Sequence, residues 1–194
     1  MRHISAICLL CGLWLVSCNN ETKTEQAENT AVEQPKLPPQ SKLDSTGTQK
    51  LLAVLSSYYE LKDALVATSA SKADEGATKL MAAANDLDGY IKTDSVNSSA
   101  LMPQLDSLKE GVNGILSVKD ETTEKKRIAF EKVSDAMFAL LRTADIKNAG
   151  AYRQYCPMAF NDKGAYWLSN ETEIRNPYFG KVMLECGEVT DSLK

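Results

Sequence analysis

Four stretches between residues 48 and 144 repeat apolar side chains at every third or fourth position, and this repeat restricts most of the chain to helices. They cover residues 48–68, 71–92, 98–118 and 120–144. Their stripes are Leu51, Leu55, Tyr58, Leu61 and Leu65; Ala77, Leu80, Ala84, Leu87 and Ile91; Leu101, Leu105, Leu108, Val112 and Ile115; and Phe130, Val133, Met137, Leu140 and Ala144. Because the connections are short, consecutive helices are expected to pack as antiparallel neighbours. The sequence therefore predicts a mainly α fold, an up-and-down four-helix bundle over residues 47–147.

Residues 1–17 have the layout of a secretory signal peptide, with Arg2 at the start and an apolar run from Ile4 to Val16. This run is too short to span a bilayer as a helix. Residues 15–18, Leu-Val-Ser-Cys, resemble the lipobox of bacterial lipoproteins, which implies cleavage before Cys18 and a lipid on its thiol. The alternative is a plain secretory signal with an incidental cysteine.

The lipid would place the protein in the cell envelope of a Gram-negative bacterium. Asn19 follows the cysteine, where some inner-membrane lipoproteins have aspartate. Its presence favours the outer membrane, with the protein facing the periplasm or the exterior. Residues 18–46 are polar and proline-containing, so they predict a disordered tether between the lipid and the folded part.

Charge and residue types exclude several function classes. The chain has 22 basic and 26 acidic residues, a net charge of -4, and so lacks the basic character expected for binding nucleic acid. Its one histidine, His3, lies in the leader. The mature protein therefore has no imidazole for Ser-His-Asp or Cys-His catalysis or for a histidine metal site, and we expect no enzyme.

The pattern changes in residues 148–194, which predict a small irregular or β-hairpin segment packed on the bundle as part of the same domain. Residues 151–160 are expected to be extended, 161–164 to turn, 165–168 to return as a strand, and 181–186 to form a short helical turn. The aromatic residues of this segment are expected to pack it onto the bundle. The basic run 125–127 in the fourth helix predicts a solvated face.

Four sulfur side chains in this segment form two closely spaced pairs. Cys156 and Met158 are two residues apart, and an extended segment points both to one side. Met183 and Cys186 are three residues apart, which is one face of a helical turn. If the pairs meet, two thiolates and two thioethers would form a cage for a soft metal ion such as copper(I) or silver(I).

Three other outcomes stay open on the residues alone. Cys156 and Cys186 form a disulfide, as an oxidising cell envelope favours. Alternatively both are buried thiols, because cysteine is a common core residue. In the third outcome the two pairs do not meet.

A resemblance adds to this interpretation. Residues 155–187 carry the run YCPMAF…GAYWLS…IRNPYFG…ML.CG, and the segment YYELKDALV lies in the first helix. Together they resemble an uncharacterised bacterial envelope domain family of lipoproteins, similar to domains appended to periplasmic adaptor subunits of heavy-metal efflux pumps. The resemblance implies copper handling with Cys156, Met158, Met183 and Cys186 as ligands, and efflux components as partners. This chain lacks the pump-adaptor segments.

The sequence therefore predicts a lipid-anchored envelope protein that binds copper(I) or another soft metal ion for sequestration or delivery. The alternative is a non-catalytic structural or protein-interaction module held by a Cys156–Cys186 disulfide.

Overall fold

The computed structural model describes residues 37–119 and 121–193, and the leader with Cys18 lies outside these residues. The long helices are α1 (Ser45–Val66), α2 (Ala70–Ile91), α3 (Ser98–Ser117) and α4 (Glu124–Thr143). Three strands follow: β1 (Ala151–Cys156), β2 (Ala165–Ser169) and β3 (Glu188–Leu193). A short turn lies at Ala159–Asp162 and a 3-10 turn at Gly180–Val182.

The predicted helical bundle is confirmed. Each helix packs on the next along the chain, and every residue of the four predicted apolar stripes is buried. The fourth helix begins at Glu124, later than the sequence pattern predicts. None of the helices in the described residues combines the length and apolar character needed to cross a membrane.

A glycine allows the closest approach of α3 and α4. A Cβ atom on Gly111 would lie 2.9 Å from Cγ2 of Val133 and 3.1 Å from the Val133 backbone nitrogen. Glycine inside a helix costs about 1 kcal/mol relative to alanine. Tight packing of two helix backbones explains why this residue stands in the helix.

The chain enters the bundle along the end of α4. The N–H of Gln40 donates to the carbonyl of Lys147 at 3.1 Å, and the N–H of Lys147 donates back at 2.8 Å. Asp44 then caps α1, because its carboxylate accepts a hydrogen bond from the Gly47 N–H at 2.8 Å. The end of the sequence-predicted tether that the structure describes is therefore attached to the bundle from Gln40 onward.

The C-terminal segment is a three-stranded antiparallel sheet in the order β2-β1-β3. The predicted hairpin corresponds to β1 and β2, with Tyr155 opposite Tyr166. The third strand, β3, is not predicted by the sequence pattern and pairs with the other edge of β1. The central strand is therefore β1, and its position fixes the rest of the segment.

Tyr58 connects the bundle to the sheet. Its ring is fully buried and stacks on Phe130, with ring centroids 5.3 Å apart. Its hydroxyl accepts a hydrogen bond from the Leu168 N–H in β2 at 3.0 Å and shares a second hydrogen bond with Ser134 Oγ at 2.8 Å. One side chain of α1 thus fixes both α4 and β2.

The prediction of a solvated face for the basic run 125–127 is wrong for two of its three residues. Lys125 is exposed, but Lys126 and Arg127 are buried. Lys126 Nζ lies 2.7 Å from Asp74 Oδ1 and 2.6 Å from the Val118 carbonyl. Long cationic side chains can be buried when fixed acceptors replace their water, as the carbonyls and carboxylate do here.

Arg127 fastens the C-terminal segment to the bundle. Its Nε donates to the Pro177 carbonyl at 2.9 Å. Its Nη2 donates to the Leu65 carbonyl and to Thr68 Oγ1, both at 3.0 Å. The guanidinium therefore joins α4, the end of α1 and the chain after β2.

Replacing Arg127 by alanine is expected to lower the free energy of unfolding by about 2–4 kcal/mol, because buried carbonyls lose a charged donor. Urea denaturation followed by circular dichroism measures this change. Lys125→Ala, in the same basic run but exposed, is the matched control and is expected to change stability by less than about 0.5 kcal/mol. Equal effects of the two substitutions would contradict the role given to Arg127.

Stability is also expected to fall at alkaline pH. Burial raises the pKa of Tyr58 and of Tyr178 above the ordinary value of 10.0. Above about pH 10 the unfolded chain loses these protons and the folded chain keeps them, so each tyrosine lowers the free energy of unfolding by up to about 1.4 kcal/mol per pH unit. Urea denaturation between pH 8 and pH 11 measures the loss, which Tyr58→Phe should make shallower. Ionisation of both tyrosines in the folded protein near pH 10, seen by tyrosinate absorbance, would contradict this.

Candidate functional site

Cys156 is held at the end of the central strand. It pairs with Ala165 of β2 and is fully buried. β1 is paired with β2 from Tyr152 to Cys156 and with β3 as far as Tyr155, so the strand that carries Cys156 is held on both edges up to the residue before it.

The second cysteine is positioned by Asn176, a fully buried residue. Asn176 Nδ2 donates to the Cys186 carbonyl at 2.7 Å, and its backbone N–H donates to the Leu184 carbonyl at 2.8 Å. Its Oδ1 accepts from the N–H groups of Tyr178 at 2.8 Å and Phe179 at 3.3 Å. One amide side chain therefore organises the loop that leads to Cys186.

Gly187 lets this loop approach the sheet closely. Its φ is 147°, and a Cβ there would lie 2.8 Å from both Trp167 Cη2 and the Tyr155 carbonyl oxygen. An alanine at this position would collide with the backbone of β1 and with a buried ring. The indole of Trp167 consequently lies beside the residue that follows Cys186.

The structure joins Cys156 and Cys186 in a disulfide. Their Cα atoms are 5.7 Å apart, a usual separation for a disulfide, and the sequence separation is 30 residues. Closing a loop of this length restricts the unfolded chain and stabilises the fold by about 3–4 kcal/mol in the chain-entropy description. Of the outcomes left open by the sequence, this structure contains the disulfide.

The two predicted methionine ligands lie on turns next to the cysteines. Met158 follows Cys156 by two residues, and its side chain is 48% exposed. Met183 follows the Gly180–Val182 turn and is partly buried. Within residues 37–119 and 121–193, no three histidine, cysteine, aspartate or glutamate side chains group as a metal site. Any metal site here would therefore depend on the two cysteines and the thioethers.

A buried polar pair lies on β1 and β2 near the disulfide. Gln154 and Trp167 are opposite each other in the sheet, and both are buried. The Gln154 amide nitrogen donates to the Glu171 carbonyl at 2.9 Å, which fixes the loop after β2. Gln154 Oε1 and Trp167 Nε1 have no hydrogen-bond partner among the described residues. An unpaired acceptor and an unpaired donor are thus buried on the two strands that carry Cys156 and its partner Ala165.

The aromatic residues of the segment pack it onto the bundle, as the sequence predicts. Tyr178 lies with its ring centroid 5.9 Å from Phe130 of α4, 5.2 Å from Phe160 and 6.0 Å from Trp167. Its hydroxyl donates to the Tyr166 carbonyl. These contacts fill the space between sheet and bundle, so the rings stabilise the site rather than form an open groove.

Two of the residues that organise the site are Asn176 and Arg127, which the sequence does not mark as site residues. The run 125–127 predicts a solvated face for Arg127, and no role is predicted for Asn176. The Asn-Pro pair was the available signal for the first, because asparagine often bonds to the backbone of its own turn. No local signal marks Arg127, because its acceptors come from α1 and from the chain after β2.

Comparison with known proteins identifies the helical part of the chain. Residues 54–149 match the model of a domain family described as protein of unknown function (DUF3347). The matched segment is just under half of the chain and ends before Cys156. The predicted resemblance to an uncharacterised domain family is confirmed for this segment. Its association with lipoproteins and efflux-pump adaptors stays a prediction.

No curated protein and no solved structure gives a significant match to the chain.

Replacing Asn176 by aspartate is expected to lower the free energy of unfolding by about 2–4 kcal/mol, because a buried carboxylate then faces the Cys186 carbonyl without a proton to donate. The same change is expected to speed reduction of the disulfide by dithiothreitol. Denaturation and thiol-release kinetics measure the two effects. The control is Asn170→Asp at an exposed position, which should change neither, and an equal result for both variants would remove Asn176 from the site.

Proposed function

We propose that this is a lipid-anchored protein of the cell envelope that binds a soft metal ion, copper(I) or silver(I), through Cys156 and Cys186 when their disulfide is reduced. The observation that carries the proposal is the convergence of two cysteines 30 residues apart. The bound ion is cargo for sequestration or delivery, and the protein needs no catalytic group for that role.

The donor chemistry fits a soft monovalent ion. Thiolate and thioether sulfur favour copper(I), whereas zinc sites in proteins commonly use four thiolate or imidazole ligands. Reduction of the disulfide would give two thiols, and the Cα atoms of the two cysteines are 5.7 Å apart in this structure. Met158 and Met183 are the proposed further donors. Met158 lies two residues after Cys156, and Met183 lies three residues before Cys186.

The surroundings support a pair that stays together after reduction. Cys156 is fixed by β1, and the Cys186 carbonyl is held by Asn176. Neither set of hydrogen bonds involves a sulfur atom. A preorganised pair of ligands lowers the entropy lost when a metal binds.

The cellular setting rests on the leader. The lipobox-like residues 15–18 support lipid attachment at Cys18, and Asn19 favours outer-membrane placement in a Gram-negative envelope. Heavy-metal efflux components are the proposed partners, on the ground of the family resemblance.

A second candidate function is favoured by the disulfide itself. In this alternative the domain is a non-catalytic structural or protein-interaction module, and the disulfide serves stability alone. It predicts that the oxidised form is the working form and that the reduced form binds no metal.

The test uses residues 18–194 with Cys18→Ser, which leaves Cys156 and Cys186 as the only thiols. The reduced, desalted protein is titrated anaerobically with copper(I) against a chromogenic chelator. One ion per chain is expected after reduction and none before it. Cys156→Ser and Cys186→Ser should each weaken binding by at least about 100-fold, and Met158→Leu or Met183→Leu by up to about 10-fold, because they remove ligands.

Met102→Leu, a partly buried methionine of α3, is the control and should bind as the parent does. Residues 18–194 contain one tryptophan, Trp167. Its ring lies beside Gly187, the residue after the proposed ligand Cys186, so its fluorescence should change when copper(I) binds. If the reduced protein fails to take copper(I) from the chelator, the metal-binding proposal is refuted. The second candidate, a structural or protein-interaction module held by the disulfide, would then remain.

A further inference from the structure

The two cysteines of the disulfide differ in burial. Cys156 is fully buried at the end of the central strand. Cys186 is only partly buried, in the turn that leads to β3. Among the described residues β3 pairs with β1 alone, so it is an edge of the sheet.

Disulfide exchange is sensitive to this difference. A thiolate attacks one sulfur in line with the bond and displaces the other, so access decides which cysteine is attacked. Attack on Cys156 would require the strand end to open, whereas Cys186 is a partly exposed residue in a turn.

We propose that a dithiol oxidoreductase of the thioredoxin type opens this disulfide by attacking Cys186 and releasing Cys156. The inference extends the proposed function, since copper(I) binding requires the reduced pair, but its chemistry involves no metal. The structure thus assigns unequal roles to the two cysteines: Cys186 receives the partner, and Cys156 is the leaving thiol.

The exchange balances without another reactant. The first partner thiolate forms a bond to Cys186 Sγ, and the Cys156–Cys186 bond breaks with its electron pair on Cys156 Sγ, which takes up a proton. The second partner thiol, after losing its proton, attacks the partner's own sulfur and releases Cys186 as a thiolate that is then protonated. Two electrons pass to this chain, and the partner leaves as a disulfide.

The surface beside Cys186 favours a protein as the reductant. Val182 is 85% exposed, and Met158, near the other cysteine in sequence, is 48% exposed. Apolar side chains on the surface provide contact area for a protein partner. The free edge of β3 begins two residues after Cys186 and offers backbone hydrogen bonds to an extended partner segment. A small thiol such as glutathione would use none of these contacts.

The first experiment locates the attack. The oxidised residues 18–194 chain with Cys18→Ser is mixed with excess thioredoxin whose second active-site cysteine is serine, so that the mixed disulfide accumulates. Acid quenching, tryptic digestion without reductant and mass spectrometry then identify the linked peptide. Cys156 falls in residues 154–163 and Cys186 in residues 182–194. The expected product is at least tenfold richer in the 182–194 peptide; an equal mixture or a majority of 154–163 would overturn the assignment.

The second experiment tests the partner class. Intact thioredoxin is expected to reduce the protein at least about 100-fold faster than glutathione at equal thiol concentration, because it brings a low-pKa thiolate and a binding surface. Val182→Asn should slow thioredoxin about fivefold and leave glutathione unchanged, as expected for a contact residue. Val96→Asn, 82% exposed in the α2–α3 connection, is the control and should change neither rate.

Equal rates for thioredoxin and glutathione, or equal slowing by both variants, would overturn the proposed partner. Copper(I) titration uses chemically reduced protein and needs no thioredoxin. A failure of the proposed oxidoreductase can therefore be told apart from a failure of copper(I) binding.

Discussion

The hydrogen bonds of the Tyr58 hydroxyl determine how the sheet lies on the bundle. A buried hydroxyl that lacks partners costs free energy, so this group needs hydrogen-bond partners inside the core. Its partners are the Leu168 N–H of β2, which donates to it, and the hydroxyl of Ser134 of α4. Fixing β2 fixes β1 through their shared register, and β1 carries Cys156. The hydrogen bonds of Tyr58 in the helical core therefore determine where Cys156 lies.

Arg127 and Asn176 supply the second attachment, at the far side of the segment. The guanidinium holds the Pro177 carbonyl, and the neighbouring amide holds the Cys186 carbonyl. The disulfide adds its own stabilisation, about 3–4 kcal/mol in the chain-entropy description, to a segment that these hydrogen bonds also hold. None of these hydrogen bonds involves a sulfur atom. The metal proposal requires them to keep the two cysteines close after reduction.

The helices were predictable because their signal is local. Apolar positions at a spacing of three and four specify a buried face without reference to any other element, and all of those positions are buried. β3 was missed because its side chains are mostly exposed and it exists through pairing with β1. Lys126 was missed for a related reason, since its acceptors belong to α2 and to the end of α3. For the site, residue chemistry singled out both cysteines, but their contact depends on the route of the 30 residues between them.

That route has a consequence for degradation of the protein. The exposed residues 170–173 lie in the chain segment between the two bonded cysteines. Exposed loops of polar residues are preferred sites of proteolytic cleavage. A protease that cut there would leave two pieces joined through the sulfurs, with the sheet and its buried rings still in register. Loss of the C-terminal piece would then need cleavage and reduction together, so the redox state of the surroundings would also set how long a nicked molecule survives.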